Sequence, residues 1–250
     1  MFRSIRVFFQ VNWIHTIIFN FRSFPFNIAC KLPVLLFASE LKSLGTVVIR
    51  NKKVFFGMIK LGLRHEDCCL SKKGVCFNNR GTVIFDGSMI LGNGSSISVK
   101  ENAVLEFGEN SGMTGDISIH CQTSIILGKN LSCSWGVSIS DTDLHTCTDP
   151  LKNEQKPVSL PVSIGNQVWL CQRSSVSKNT IIPDWCTLAS NSLAVGNYSA
   201  AAPYSILAGC PAVVKSQLIR RDDVFRITKL SDWYITKGLT VFGKIRRNYA

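Results

Sequence analysis

Acidic residues are scarce in this chain, 16 against 28 Lys and Arg for a net charge of +12 over 250 residues. The shortage is local: residues 1–80 hold 13 basic and 3 acidic side chains and residues 200–250 hold 9 and 3, whereas residues 81–199 hold 6 and 10. A basic surface attracts nucleic acid, anionic lipid or phosphorylated small molecules alike. No helix-turn-helix, zinc-finger or RNA-recognition motif is present, so nucleic acid is not an expected partner. Charged residues are only 18% of the chain and apolar ones 46%, which excludes a disordered polyelectrolyte. No C-x-x-C pair occurs among the ten cysteines, and Cys68 and Cys69 are adjacent. Free thiols in a reducing cytosol, most of them small apolar core fillers, are expected rather than a disulfide framework.

Nor is there an apolar run long enough to span a bilayer. The N-terminal MFRSIRVFFQVNWIHTIIFNF is interrupted by Gln10, Asn12, His15 and Asn20, short of the ~20 apolar residues a span needs. No small-residue cleavage site follows it, which argues against a signal peptide. Residues 5–19 can form an amphipathic helix whose apolar side packs on the neighbouring domain or rests on a membrane surface.

What the sequence does contain is a short internal period. An aliphatic or small residue recurs at every sixth position in Ile164, Leu170, Val176, Ile182, Leu188 and Ala194. Two residues before each lie Val162, Val168, Ser174, Thr180, Cys186 and Ser192, a column that turns small as a tight corner demands. Upstream, the same spacing runs through Phe107, Met113, Ile119, Ile125, Leu131 and Val137, and through Phe85, Leu91, Ile97 and Ala103. Six residues are about 1.67 turns of α-helix, so an α-helix would throw successive members to nearly opposite sides. A parallel β-solenoid with three six-residue sides per coil accounts for the pattern, with Ile164 under Ile182, Leu170 under Leu188 and Val176 under Ala194. Gly and Asn at 92–94, 108, 110, 128, 130, 165 and 166, with Asp184, suit the corners.

The upstream and downstream registers are out of phase, because Val137 and Ile164 are 27 residues apart. A loop must leave the solenoid between them, about residues 140–161, and it carries Asp141, Asp143 and His145. A neutral imidazole is matched to removing a proton from an attacking hydroxyl or amine at neutral pH. Either Asp141 or Asp143 could hold its other nitrogen. Zinc chemistry wants three protein ligands, and only His120 and His145 lie in the repeat region, so no metal site is expected. His120 follows inward Ile119 and should point outward. His15 and His65 are assigned no chemistry.

The stretch IGNQVWLCQRSSVSKNTIIPDWCTLASNSLAVGNYSAAAPYSILAGCPAVVKS resembles the last coils of the hexapeptide-repeat acyltransferases, with IG-x-x-VW, aliphatic hexads, P-Y-S-I where the family has P-x-Y-S-I, and AG-x-PA in order. SWGVSISDTDLH is similar to the catalytic loop of the members that O-acetylate capsule or O-antigen glycans, and FNFRSFPFNIACKLP to their N-terminal segment. The resemblance covers about residues 19–216. It implies a left-handed parallel β-helix, a homotrimer, acetyl-coenzyme A in the groove between subunits, and a sugar or lipid-linked glycan acceptor. It also implies His145 as general base with Asp143, coenzyme contacts at Trp169, Cys171, Gln172, Ser190 and Asn191, and Trp135 and Asp141 on the acceptor side. Backbone amides from Trp169 to Gln172 would face the thioester carbonyl as oxyanion donors. Three positions depart from the pattern. Cys171 replaces a glycine, Val213 replaces a basic residue so that Lys215 is the phosphate contact, and Val195-Gly196 replaces a Thr-Lys pair.

The expected organisation is mainly β: a basic, partly helical lead-in over 1–80, the β-helix over 81–208, and a helical tail over 209–250. In that tail Leu218, Val224, Ile227, Leu230 and Trp233 would pack on the solenoid end. The basic flanks suit a cytoplasmic protein held peripherally at the inner membrane face. Two other functions share this fold class: a non-catalytic trimeric scaffold, and a zinc enzyme like the carbonic anhydrases built on such a helix.

Overall fold

The computed structural model describes residues 8–63 and 74–219. Three parallel sheets form the sides of a triangular solenoid. Face I has nine strands running from Val34–Leu36 to Ala212–Leu218, face II has seven from Ser39–Ser43 to Leu193–Ala194, and face III has six from Thr46–Ile49 to Ile181–Ile182. Each coil contributes one strand to each face in the order I, II, III. All solenoid pairs are parallel except the last, where Ala212–Leu218 turns back antiparallel on Ser205–Gly209.

The six-residue period becomes the core. Ile164, Leu170, Val176, Ile182, Leu188 and Ala194 are all buried, as is the corner column from Val162 to Ser192. The expected stacking also holds, since Ile164 pairs with Ile182, Leu170 with Leu188 and Val176 with Ala194. Upstream coils are longer than eighteen residues. Phe85 pairs with Phe107 and Phe107 with Leu127, spacings of 22 and 20 residues. Their four-residue strands carry two inward positions, so a six-residue count still falls on inward residues while the coil grows by a pair.

One corner shows why glycine recurs. A Cβ on Gly108 would lie 2.4 Å from Gly128 C, and one on Gly128 would lie 2.4 Å from Gly165 C. The coils approach too closely there for any side chain.

Helix α1 (Trp13–Ser23) closes the first coil. Asn12 caps it by accepting from His15 N at 3.1 Å, and the extended Phe24 before Pro25 ends it. A second short helix, α2, spans Phe26–Ala29. The polar side of α1 is the side that packs. Asn20 Nδ2 donates to Val34 O at 2.7 Å, Val34 N to Asn20 Oδ1 at 3.1 Å and Leu36 N to Thr16 Oγ1 at 3.0 Å. These bonds satisfy an otherwise open strand edge, while Phe19 seals the core end against Phe77. An apolar helix side packed on the neighbouring domain was one expectation; the unpaired edge of Val34–Leu36 reverses it, because it needs hydrogen-bonding side chains.

Over its first coils the outer side of face I is also covered. Leu35, Phe37, Leu63 and Ile90 form a second buried cluster with Val11 and Trp13. Lys60 stands in register between Leu35 and Ile90, 2% exposed, and its Nζ has no hydrogen-bond partner among the described residues. Burial lowers its pKa to about 8.

At the far end the structure departs from the expected helical tail: Ala212–Leu218 is a strand that covers the final edge of face I. Residues 220–250, including Val224, Ile227, Leu230 and Trp233, lie outside the described residues, as do His65, Cys68 and Cys69. No disulfide joins the described cysteines, of which Cys121, Cys133 and Cys186 are buried. Burial pushes the Cys121 thiol up to about 12, with the neighbouring Asp141 charge adding to the effect.

Candidate active site

The segment that breaks the period is an arm at the corner between faces II and III. It leaves after Ser138–Ser140 and returns at Val162–Ile164. Cys147–Asp149 and Glu154–Lys156 pair antiparallel within it. Its two roots are joined by Asp143 N to Val158 O and Leu160 N to Asp141 O, both 2.9 Å. Lys178, from the coil stacked above, clamps both roots. Its Nζ lies 2.5 Å from Asp143 Oδ2 and also donates to Pro157 O.

His145 stands just beyond this clamp, exposed. Leu144 before it has φ 64°, a left-handed conformation that is costly for a branched side chain. A local turn fixes this shape: Ser140 Oγ donates to Thr142 O at 2.8 Å, and Leu144 N donates to Thr142 Oγ1 at 3.0 Å.

Neither nearby carboxylate reaches the imidazole. Asp143 is engaged by Lys178. Asp141 is wholly buried and accepts from Gln122 N at 2.7 Å, Thr123 N at 2.7 Å, Thr123 Oγ1 at 2.9 Å and Ser124 N at 2.8 Å. Asp141 therefore ties the arm to the preceding coil, and the acceptor-side position expected for it is corrected. Its carboxylate is the natural partner for a corner that presents three amide donors and a hydroxyl.

Three of the residues expected to contact coenzyme, Gln172, Ser190 and Asn191, and the expected acceptor-side Trp135 lie at the next corner, between faces I and II. Trp135, Gln172 and Ser190 lie at matching corner positions, linked through Arg173 N to Trp135 O and Asn191 N to Gln172 O, both 3.0 Å. Gly136, Arg173 and Asn191 have φ of 75°, 54° and 57°, as the third residue of a type II turn requires. Trp135 is 37% exposed, and Ser190 and Asn191 are exposed.

Trp169 and Lys215 lie on the adjoining face I, in one row with Thr187 and Ile206 between them. Three strand steps separate them, about 14 Å. Trp169 Nε1 lies 3.4 Å from Ser134 Oγ. Cys171 is half-buried. The amides of Trp169 and Cys171 donate to Cys186 O and Leu188 O at 3.0 and 2.9 Å. The ladder thus consumes two of the amides expected to face a thioester, leaving Gln172 as the corner residue of that stretch.

The chain brings together Trp135, Gln172, Ser190 and Asn191, with Trp169 on the adjoining face and Lys215 three strands beyond it. It holds His145 and Asp143 one corner away, across a side of face II. His120 alternates outward between buried Ile119 and Cys121, as its position predicts. His15 Nδ1 is 2.9 Å from Ser39 Oγ. Among the described residues no three His, Cys, Asp or Glu side chains converge as a metal site would need. Lys178 escaped the sequence reading, although pairing Ile139 with Val176 places residue 178 beside 141.

No protein-family model matches this sequence, and no curated protein matches it. Solved structures do. The polySia-specific acetyltransferase NeuO superposes with a TM-score of 0.50 at 14% identity, over 78% of this chain and 94% of that one. The fold is the left-handed parallel β-helix. Weaker superpositions are with the polysialic acid O-acetyltransferase OatWY, TM-score 0.36 at 18% identity over 76% of each chain, and with a hexapeptide-repeat acetyltransferase of Vibrio cholerae O1 biovar eltor complexed with acetyl coenzyme A. The latter has a TM-score of 0.39 at 15% identity over 46% of this chain and 61% of that one. On this left-handed β-helix the arm is the one long excursion among the described residues that carries a histidine.

Proposed function

We propose that this protein is an O-acetyltransferase that moves an acetyl group from acetyl-coenzyme A to a sugar hydroxyl, with the hydroxyls of surface polysaccharides as the substrate class. The observation that carries the reading is the clamped arm, which displays an exposed His145 beyond a rigid root. NeuO, which shares the fold, is described as a polySia-specific acetyltransferase. The sequence motifs of the last coils support the same chemistry.

In this reading His145 accepts the proton of the attacking hydroxyl through a ring nitrogen. The donor supplies an electrophilic thioester carbonyl. Trp135 offers an exposed aromatic surface for the apolar side of a sugar ring. Gln172, Ser190 and Asn191 supply side-chain hydrogen bonds along the corner, and Lys215 offers a positive charge to a phosphate.

One chain keeps its histidine and its coenzyme corner apart. A side of six residues spans roughly 20 Å, too far for one proton transfer. We therefore read the working unit as a homotrimer in which the arm of one subunit meets the face I/II corner of its neighbour. The acceptor that orients the second nitrogen of His145 then comes from the neighbouring subunit or the bound sugar, since Asp141 and Asp143 are both occupied.

The test is thiol release from acetyl-coenzyme A with polysaccharide precursors as acceptors. His145→Ala should lower kcat/KM by roughly 10²- to 10⁴-fold, the usual contribution of a general base. Unchanged turnover in that variant would remove His145 from the reaction. Absence of coenzyme binding by the intact protein would favour a scaffold.

A further inference from the structure

Helix α1 is amphipathic with its apolar side outward. Thr16, Phe19 and Asn20 face the β-helix and are buried, while Ile14, Ile17, Ile18 and Phe21 are 71%, 48%, 42% and 47% exposed. Spacings of three, four and seven residues put these four on one stripe, opposite the packed side. The stripe continues through the edge-on ring contact of Phe21 with Phe26, itself 75% exposed. At the N-terminal end lie Phe8 and Phe9, in ring contact with each other and 53% and 79% exposed.

We propose that this surface docks on an anionic lipid bilayer. The charge of the N-terminal sequence selects the partner. Residues 1–39 contain Arg3, Arg6, Arg22 and Lys31 and no Asp or Glu, and the first acid, Glu40, is paired with Lys42 at 3.5 Å. Arg22 follows Ile18 by four positions, at the margin of the stripe, where a long cationic side chain reaches headgroup phosphates while its stem stays apolar. Gly57 N donates to Leu32 O at 3.1 Å, which brings the half-exposed Phe56 beside the exposed Lys31. Isoleucine and phenylalanine on one side, with Arg22 and Lys31 beside them, is the composition of a helix lying in the headgroup region.

The helix is too short to hold its shape alone in water. Here the β-helix edge holds it already folded, through Asn12, Thr16 and Asn20, so docking requires no ordering of the chain. Among the described residues no helix is long and apolar enough to cross a membrane; the surface lies on the bilayer. The proposal is independent of the acyl-transfer reading, because binding is measured without donor or acceptor.

The experiment is co-sedimentation of the full chain with vesicles of phosphatidylcholine alone or phosphatidylcholine mixed with phosphatidylglycerol. The wild type should partition at least about tenfold better to the anionic vesicles, with salt weakening that preference. The double variant Ile17→Glu, Phe21→Glu should lose binding by about tenfold or more while its circular dichroism and elution volume stay unchanged. In an Ile17→Trp variant the emission should shift to the blue on adding anionic vesicles. The proposal is overturned if the wild type ignores anionic vesicles or if the acidic double variant binds as well as the wild type. It is equally overturned if that variant changes the oligomeric state of a protein that does not bind vesicles, since the stripe would then lie between copies of the chain.

Discussion

Lys60 shows how a single residue on a face can go against its surroundings. Burial disfavours the charged ammonium, which has no hydrogen-bond partner among the described residues, and burial is why its pKa falls from 10.5 to about 8. The unfolded chain keeps the ordinary value, so between about pH 8 and 10.5 the unfolded state binds more protons and stability rises with pH across that window. Below pH 8 the full cost remains. A shift of roughly 2.5 units corresponds to about 3 kcal/mol at 1.36 kcal/mol per unit. Lys60→Met, close in volume and apolar, should therefore raise unfolding free energy at pH 7 by about that amount, and the gain should shrink to under ~1 kcal/mol at pH 10. Urea denaturation at the two pH values measures both. Lys60 lies upstream of the repeat that the sequence displays, and the N-terminal segment that covers its outer side is brought there only by the fold. Asp141 and Asp143 illustrate the same limit: their distance in sequence from His145 was visible, but their orientation depended on corner amides and a lysine contributed by other coils.

At the scale of elements, the interrupted period located the arm within a few residues, and the inward columns were legible because close-packed coils place apolar or small side chains there. The length of the upstream coils was not, since an added pair of strand residues leaves the six-residue rhythm intact. Nor did the pattern of α1 reveal which side packs. A moment gives the direction of the apolar face but does not say that an open strand edge, with its unpaired amides and carbonyls, will claim the polar one. The arm itself depends on Lys178, which bridges Asp143 and Pro157 O and is more buried than its partner, at 17% against 36% side-chain exposure. Lys178→Ala should leave the solenoid intact, because the side chain lies outside the core, and should free both roots. Amide exchange over residues 141–160 should accelerate by about tenfold or more while strands such as Val162–Ile164 keep their protection. If His145 is the base, kcat should fall with little change in donor KM, since a loosened arm misplaces the imidazole without touching the coenzyme corner. Unchanged exchange in the arm would mean that the backbone bonds between its roots suffice.

For the whole molecule the decisive geometry is the separation of two corners on one triangular cross-section. His145 belongs to the corner between faces II and III; Trp135, Gln172, Ser190 and Asn191 belong to the one between faces I and II. The proposed cyclic trimer would join them, because each heterologous contact would place one kind of corner from a subunit against the other kind from its neighbour. That arrangement makes a combinatorial prediction which a site within one chain does not. Two inactive subunits are mixed: His145→Ala, with an intact coenzyme corner, and Ser190→Trp, with an intact arm and a blocked corner. Ser190 is exposed, so the indole fills the groove without disturbing the core. In any mixed trimer one of the three interfaces pairs an intact arm with an intact corner. Random assembly from equal amounts makes three quarters of the trimers mixed, so about one quarter of the wild-type sites return. Co-refolding the two variants and assaying thiol release should recover about that fraction, whereas each variant alone stays inactive. A mixture that assembles, as shown by subunit exchange of a tagged copy, yet regains no activity would place the whole site within a single chain.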